Sequence, residues 1–246
     1  MERTEYRTMY DFENSYWWYV ARRQLVYALL KKLKGNSKHR IIMDVGCGTG
    51  GNEPMLADFG KVTLADRSVD ALSWCRKRGL QRLLASNLES LPLSSGSVDM
   101  ITALDVLEHT DDDLSALKEM YRVLKPGGII LVTVPAYGFL WSEHDEALHH
   151  RRRYTSYELR NKLASVNLDL QRLTYFITLL FFPIFAMRFW QNLFKSNLRP
   201  KTGHILLPAW LNWLLIKVLA VERVICCNLI NFPFGVSVVA IARKPE

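Results

Sequence analysis

The sequence has few cysteines and no pattern that would pair them. Its 246 residues include four cysteines, which form no C-x-x-C spacing and do not alternate with the six histidines as metal ligands would. Neither a disulfide framework nor a metal site is expected, and we predict a reduced protein of the cytoplasm. The start of the chain lacks an apolar segment, so no secretory signal is predicted either.

Long hydrophobic runs are missing as well. Leu173–Met187 is fifteen residues without a charge, interrupted by Pro183, and Ile205–Ile216 is shorter still. A transmembrane helix needs about 20 apolar residues, so neither segment is predicted to cross a bilayer. Tryptophans and isolated basic residues instead favour interfacial helices, peripheral on the inner membrane. The open alternatives are core helices of a lid, or the interface of a homodimer.

The middle of the chain has no excess of positive charge, although the formal net charge is +8. Asn14–Met43 contains seven lysines and arginines and no acid, whereas Asp44–His150 contains nine basic and sixteen acidic residues. The segments that follow are basic again. We therefore expect no nucleic-acid partner, but an anionic small molecule or an anionic membrane surface beside the basic flanks.

Short apolar runs alternate with helical patterns in this acidic middle. The runs predict strands at Arg40–Val45, Lys61–Ala65, Arg82–Ala85, Val98–Leu104 and Gly128–Val134, with helices at Glu53–Phe59, Ser68–Arg78 and Asp111–Leu124. Such alternation is typical of an α/β sheet with parallel strands. Upstream, Tyr16–Lys34 has the pattern of an amphipathic helix. Downstream, the patterns predict a helix at Ser156–Val166 and strands at Leu168–Thr174 and Gly235–Ile241, separated by the apolar segments Phe176–Met187 and Ile205–Ile225.

A strand, a glycine-rich turn and a helix follow one another in Ile41–Asn52. Glycines at this position allow a tight turn and the close approach of a ligand to free backbone N–H groups. Asp66 ends the second strand, where a carboxylate can accept hydrogen bonds from a ribose. Gly46, Gly48 and Gly51 also satisfy G-x-G-x-x-G, so a nicotinamide cofactor, and with it an NAD(P)-dependent oxidoreductase, stays open at this point.

The tighter pattern, Asp44-x-Gly46-x-Gly48-x-Gly50, resembles the first motif of class I S-adenosylmethionine-dependent methyltransferases. The resemblance extends over residues 40–135 and the terminal strand at 235–243. Leu84–Leu93 is similar to the segment after the family's third strand, Ser97–His109 to the fourth strand and its exit, and Leu124–Gly128 to the approach to the fifth. It implies a Rossmann-like sheet of seven mostly parallel strands with an antiparallel last strand.

The resemblance also implies S-adenosylmethionine as the cofactor. Asn87 stands where the family usually has an acid, and its amide oxygen can still accept a hydrogen bond from adenine. The residues expected at the cofactor are Asp44, Gly46, Cys47, Gly48, Gly50, Asp66, Arg67, Asn87, Leu88 and Leu104.

Asp105-x-x-Glu108-His109 follows the fourth strand, at the end of the sheet where open α/β folds bind ligands. It resembles the E-x-x-E-H segment of ubiquinone-pathway O-methyltransferases, which suggests either a general base or a platform for a divalent metal. Aspartate at the first position shortens that ligand's reach, so no metal is predicted. A purely structural role, in which Glu108 and His109 shape the pocket, is the alternative.

A second set of polar residues lies in Trp141–Tyr154, after the fifth strand. We expect His149 or His150 to act as a base near the acceptor. Anion binding by Arg152 and Arg153 is the second expectation. The residues expected at the acceptor are Trp18, His144, Arg152, Arg153 and Tyr154. A solvated charge run with local Glu–Arg pairs is the alternative.

These patterns predict four segments. Residues 1–38 form an amphipathic helical cap, 39–175 the cofactor-binding core, 176–232 an apolar helical insertion and 233–246 the final strand of the core. The predicted activity is methyl transfer to a lipid, a lipid-linked glycan or a quinone-like acceptor at a membrane surface. A soluble methyltransferase of small metabolites and a non-catalytic scaffold are the alternatives.

Overall fold

The computed structural model describes residues 3–33, 40–193 and 207–246. The strands are β1 Arg40–Val45, β2 Gly60–Asp66, β3 Leu83–Ala85, β4 Val98–Leu104, β5 Leu124–Pro135, β6 Asp169–Phe176 and β7 Ser237–Arg243. The helices are α1 Arg3–Phe12, α2 Trp17–Lys32, α3 Glu53–Leu56, α4 Val69–Lys77, α5 Asp113–Val123, α6 Glu143–Ala147, α7 Ser156–Ser165, α8 Phe181–Leu193 and α9 Ala209–Asn228. Short 3-10 turns, Leu107–His109 and Gly138–Leu140, follow β4 and β5.

The seven strands form one sheet in the order β3-β2-β1-β4-β5-β7-β6. The pairs from β3 to β5 are parallel, and β7 runs antiparallel to both of its neighbours. This arrangement confirms the predicted fold class, including the antiparallel last strand. The strand order reverses between β1 and β4, so the loops that follow these two strands diverge and leave a crevice at their carboxyl ends.

Alternate residues of the central strands point into two apolar layers. Met43 and Ile101 belong to the layer that α5 and α7 cover. Ile42 and Met100 belong to the opposite layer, with residues of α2, α4 and α9. All four side chains are at most 2% exposed. Because helices cover both faces, the central strands are nearly continuous apolar runs, and the sequence pattern identifies them clearly for that reason.

Helix α1 was not predicted from the sequence pattern. It is largely polar, and of its side chains from Glu5 to Phe12 only that of Tyr6 is buried. The helix docks on α4, where the ring of Tyr10 lies 4.7 Å from that of Trp74 and its carbonyl accepts a hydrogen bond from Arg78 at 3.2 Å. These contacts join distant parts of the chain, so local periodicity could not reveal them.

Other differences from the predictions concern the lengths of elements. α3 ends three residues before the predicted Phe59, and β5 begins at Leu124 because Val98 pairs with that residue. Lys34 and Lys38 of the basic flank, and Ile205 of the second apolar segment, lie outside the described residues. The division into cap, core and insertion stays a prediction.

Helices α8 and α9 lie between β6 and β7 in the chain, and buried polar contacts anchor α9 to the rest of the fold. The carboxylate of Glu222 is fully buried and accepts hydrogen bonds from the backbone N–H groups of Thr178 and Leu179, both at 2.9 Å. The side chain of Asn212 accepts from the N–H of Trp17 and donates to the carbonyl of Ser15, again at 2.9 Å. Within the described residues, no helix combines the length and hydropathy needed to span a bilayer.

The Glu222 contacts predict a strong dependence of stability on this one carboxylate. In Glu222→Ala two buried backbone donors lose their acceptor, and each such loss costs about 1–3 kcal/mol. We expect the melting temperature to fall by roughly 5–15 °C, as measured by calorimetry. Glu222→Gln keeps one acceptor oxygen, so its melting temperature should lie between those of the wild type and Glu222→Ala. Glu89→Ala, at an exposed position, is the matched control. Equal melting of Glu222→Ala and the control would contradict the anchoring role.

Candidate cofactor and acceptor site

A cavity of about 490 Å³ opens beyond the carboxyl ends of β1 and β4. The glycine loop after β1 and the turn after β4 form one end of it, and residues of α2, α6, α8 and α9 enclose the remainder. Its position is the crevice that the reversal of strand order creates.

The glycine loop is shaped by close packing. Gly46 has a φ of +66°, and a Cβ atom at this position would lie 2.1 Å from Cγ2 of Val106. Gly48 has a φ of +55°, and its Cβ position lies 2.9 Å from Sδ of Met9 on α1. Any other residue would clash or be strained at both positions, which explains why the motif needs glycine there.

Asp66 holds the glycine loop from the end of β2. Its carboxylate accepts hydrogen bonds from the backbone N–H groups of Gly48 at 3.0 Å and Ser68 at 2.8 Å. Burial raises the pKa of Asp66 and opposes the effect of these two donors. The side chain is 9% exposed and is not among the residues that line the cavity, so it contacts the glycine loop rather than the open space.

Asp44 lies beneath the loop and is 1% exposed. One carboxylate oxygen accepts a hydrogen bond from the Thr102 hydroxyl at 2.6 Å, and the other has no hydrogen-bond partner within the described part of the chain. Burial raises the pKa of Asp44 to about 6. An orphaned buried oxygen beside a glycine cradle fits a cofactor that brings a cationic group, such as the ammonium of S-adenosylmethionine.

Only some of the residues predicted at the cofactor line the cavity. Gly46, Cys47, Gly48 and Leu104 line the cavity. Gly50 packs on α4 instead, since its Cβ position lies 3.1 Å from Sγ of Cys75. Leu88 is buried in the core, whereas the side chains of Arg67 and Asn87 are exposed.

Arg22 of α2 reaches the same end of the cavity, a residue that sequence reasoning missed. It forms an ion pair with Asp105, whose other oxygen accepts a hydrogen bond from the Thr133 hydroxyl at 2.8 Å. Burial disfavours the charge of Arg22, but Asp105 outweighs that effect and the pKa of Arg22 is raised. Arg22 and Thr133 hold the Asp105 carboxylate in place, so its contacts in this structure are with the protein itself.

Glu108 and His109 follow in the turn after β4, and His150 approaches them from the loop after α6. The rings of His109 and His150 lie 4.7 Å apart, edge to face. Burial, followed by repulsion from His150, lowers the pKa of His109 to about 3, so its imidazole is neutral at pH 7. Glu108 is fully buried, and burial together with Asp105 raises the pKa of its carboxyl well above the usual value.

Asp145 of α6 orients His150. Its Oδ1 lies 2.8 Å from Nδ1 of His150, and Arg153 donates to both of its oxygens at 2.8 and 3.0 Å. Burial alone would raise the pKa of Asp145, but His150 and Arg153 outweigh it and hold the pKa well below its usual range. The ionised carboxylate fixes the ring, so Nε2 is the nitrogen of His150 that remains available to a ligand.

Only some of the residues predicted at the acceptor line the cavity. Trp18, His144 and Arg153 line the cavity, although the guanidinium of Arg153 is occupied by Asp145 and by the carbonyl of Ala136 at 3.0 Å. Arg153 therefore has little capacity left for an anion.

The other two residues predicted there, Arg152 and Tyr154, do not line the cavity, and neither does His149, one of the two predicted bases. The Arg152 guanidinium pairs with Asp113 at 3.1 Å, and the Tyr154 hydroxyl donates to the same carboxylate at 2.8 Å. Tyr154 is 2% exposed and belongs to the core beneath the site. The side chain of His149 is exposed, so of the two predicted bases only His150 reaches the cavity.

Arg188 of α8 is a second cavity residue that sequence reasoning missed. Its guanidinium donates to the carbonyl of Leu140 at 2.5 Å, and no carboxylate of the described residues forms a salt bridge with it. Burial and the nearby Arg153 lower the pKa of Arg188 to about 9. Its only sequence signal is a single arginine in an apolar segment, which does not reveal where the side chain points.

Comparison with known proteins finds methyltransferases. Residues 43–132 match the model of a family described as a methyltransferase domain. A malonyl-acyl carrier protein O-methyltransferase of Pseudescherichia vulneris is 32% identical over 138 residues, a match that covers 53% of this chain and 55% of that protein. A probable S-adenosylmethionine-dependent methyltransferase of Mycolicibacterium smegmatis is 28% identical over 163 residues, covering 65% of this chain and 62% of that protein. The chain thus matches only about half to three fifths of the length of these relatives.

Solved structures share the fold. The Haloferax volcanii complex of the Trm112 methyltransferase activator with a methyltransferase contains a chain that superposes with a TM-score of 0.63 at 17% identity, covering 99% of this chain and 94% of that one. Phosphoethanolamine N-methyltransferase 2 of Haemonchus contortus, solved with S-adenosyl-L-methionine, gives 0.58 at 19% identity, covering 91% of this chain and 52% of that one. The strand order and the glycine loop fit the class I S-adenosylmethionine-dependent methyltransferase fold, and residues 43–132 match the methyltransferase-domain family.

Proposed function

We propose that this protein transfers a methyl group from S-adenosylmethionine to an amphiphilic acceptor that carries an anionic group, at the surface of a membrane. The observation that carries the proposal is the two-sided cavity. Polar and titratable groups gather at the end next to the glycine loop, and apolar side chains from α8 and α9 line the other end. Such a cavity suits a molecule with a polar head and an apolar body.

The cofactor end supplies a group for the ribose, the ammonium and the carboxylate of S-adenosylmethionine. Asp66 would accept hydrogen bonds from the ribose hydroxyls, and the unpartnered oxygen of Asp44 would face the ammonium. Arg22, whose Nε has no hydrogen-bond partner within the described residues, would hold the carboxylate. The methyl group that the cofactor supplies would then point into the cavity.

The apolar end accounts for the body of the acceptor. The apolar lining residues here are Leu180, Ile184 and Met187 of the α8 region and Leu211 and Leu215 of α9. These side chains leave a lining with few hydrogen-bonding groups, so a polar metabolite would lose its hydration there without replacement. An acyl or isoprenoid chain would instead gain from burial, at about 25 cal/mol for each Å² of apolar surface.

Arg188 supports an anionic group on the acceptor. Its guanidinium carries five donors, and the contact with Leu140 uses one of them. A partly buried cation that lacks a carboxylate partner is costly unless a ligand provides the counter-charge. A phosphate or a carboxylate would match its planar donors.

Catalysis would depend on holding the acceptor oxygen or nitrogen in line with the methyl group, since methyl transfer is a displacement at carbon. The cluster of Glu108, His109 and His150 lies beside the glycine loop and would contact the acceptor's nucleophilic atom.

The outer surface of α8 and α9 supports the membrane part of the proposal. Phe182 and Trp190 of α8 are 68% and 58% exposed, and Trp210 and Trp213 of α9 are 67% and 59% exposed. Amphipathic helices with large aromatic side chains insert into the headgroup region of a bilayer, and the basic residues of the flanks would face anionic lipids. Both helices also border the cavity, so an acceptor could enter it directly from the bilayer.

The role of Asp66 predicts loss of cofactor binding in Asp66→Ala. Removing two charge-assisted hydrogen bonds and the support of the glycine loop should weaken S-adenosylhomocysteine binding by about 10- to 100-fold. Calorimetric titration measures the affinity, and Asp58→Ala, at an exposed position before β2 and away from the glycine loop, is the control. Unchanged affinity in Asp66→Ala would remove this residue from the cofactor site.

The role of Arg188 predicts selectivity for anionic amphiphiles. Dodecyl phosphate should raise the melting temperature of the wild type more than dodecanol does, because only the phosphate can pair with the guanidinium. Arg188→Gln should bind dodecyl phosphate at least tenfold more weakly and S-adenosylhomocysteine equally well. Arg151→Gln, whose side chain is 49% exposed, is the matched control. Identical binding of both amphiphiles to the wild type would rule out an anionic acceptor of this kind.

The exposed aromatic side chains predict binding to anionic vesicles. The wild type should co-sediment with vesicles of equal parts phosphatidylglycerol and phosphatidylcholine. A triple variant, Phe182→Ser, Trp190→Ser and Trp213→Ser, should bind at least tenfold more weakly, because each buried aromatic side chain contributes about 1.5–3 kcal/mol. The double variant Val69→Ser with Tyr157→Ser removes equally exposed apolar side chains elsewhere and should bind the vesicles as the wild type does. Failure of the wild type to bind would favour a soluble methyltransferase.

A further inference from the structure

Three potential metal ligands converge at the polar end of the cavity. We propose that Glu108, His109 and His150 bind a divalent transition-metal ion such as zinc, and that this ion contacts an oxygen of the acceptor. The site deepens the proposed function, on which its role toward the acceptor rests. Metal binding itself can be measured without any acceptor.

The geometry places one ligand atom from each residue within 4.8 Å of the other two. Ligand atoms around a tetrahedral zinc ion lie roughly 3.4 Å apart, given bond lengths near 2.1 Å. Small rotations of the side chains would close the remaining difference. Two ligands come from the turn after β4, and His150 comes from the loop after α6, so the fold itself brings the set together.

The state of Glu108 is the second, independent observation. Its side chain is 0% exposed, and neither of its carboxylate oxygens has a hydrogen-bond partner within the described residues. A buried carboxylate without a partner is strongly unfavourable, and native structures satisfy such groups with a donor or a cation. A metal ion between Glu108 and the two imidazoles would satisfy both the charge and the lone pairs.

The surroundings of the two histidines have the form that metal ligands require. A ligating imidazole usually donates its other ring N–H to a carboxylate or a carbonyl, which fixes its orientation. Nδ1 of His150 contacts Asp145 at 2.8 Å, leaving Nε2 for the ion. The backbone of His149 lies within hydrogen-bonding reach of the His109 ring. Each histidine therefore keeps one nitrogen for the ion.

The donor set indicates which ions would bind. Two imidazoles and one carboxylate suit zinc and other first-row transition metals, whereas magnesium and calcium prefer sets made of oxygen alone. Asp105, the first acid of the sequence motif, is not part of the set because Arg22 and Thr133 occupy its oxygens. His150, more than forty residues further along the chain, takes its place.

Three protein ligands would leave a zinc ion with an open coordination position. The three residues line the cavity, so that position would face the space proposed for the acceptor. An oxygen of the acceptor bound there would be held beside the glycine loop, and the positive ion would favour its deprotonated form.

Titration of the full-length, metal-stripped protein with Co²⁺, a visible-light probe of such sites, tests the proposal directly. We expect one Co²⁺ per chain, displaced by one Zn²⁺. Glu108→Gln and His150→Ala should each bind Co²⁺ at least 100-fold more weakly. Asp145→Asn changes only the hydrogen-bond partner of the ligand His150 and should bind Co²⁺ about 10- to 100-fold more weakly. His149→Asn is the matched control, since asparagine tolerates the φ of +57° at this exposed position and should bind Co²⁺ like the wild type.

A thermal readout separates loss of metal from loss of fold. Zn²⁺ should raise the melting temperature of the wild type and leave that of Glu108→Gln unchanged, while S-adenosylhomocysteine should stabilise both. No saturable Co²⁺ binding to a wild type that still binds S-adenosylhomocysteine would overturn the metal site and leave the methyltransferase proposal intact. The metal site would also be overturned if Co²⁺ bound to wild type and Glu108→Gln with equal affinity.

Discussion

The buried ion pair between Arg22 and Asp105 links the two halves of the site. Arg22 belongs to α2, and Asp105 follows β4 with a φ of +54°, a left-handed conformation that aspartate adopts more readily than most residues. Breaking such a pair leaves an uncompensated buried charge, so α2 and the end of β4 are held in one arrangement. That arrangement directs the following residues, Glu108 and His109, toward the cavity and places α2 over the cofactor end.

The structure shows which parts of the fold the acidic and the basic segments of the chain form. The acidic middle contains the sheet and the carboxylates that would face the cofactor, Asp44 and Asp66. The basic and apolar flanks contribute α2, α8 and α9, which enclose the acceptor end. The acidic middle would thus supply both the cofactor's carboxylate contacts and the cluster of Glu108, His109 and His150, while the flanks add Arg22, Arg188 and the apolar lining.

The sequence was sufficient for the fold and for the cofactor loop because both depend on local patterns. Gly46 and Gly48 are required by the backbone of one turn, and Asp66 follows from the end of one strand. The acceptor side could not be predicted in the same way. Arg22 and Arg188 reach the cavity only through long-range packing of their helices, and a helical pattern does not say which side chain points into a site.

The segment after β5 illustrates why residue type alone misassigns roles. Arg152, Arg153 and His150 are near neighbours in a run that suggests anion binding, yet each has a different position. Asp113 holds Arg152 below the site, Asp145 neutralises Arg153, and the same Asp145 turns His150 toward Glu108. A buried acid therefore decides which basic residues remain available. The two arginines that look best suited to an anion are the ones that the fold has already paired, and the cavity is left with an imidazole that has a free nitrogen.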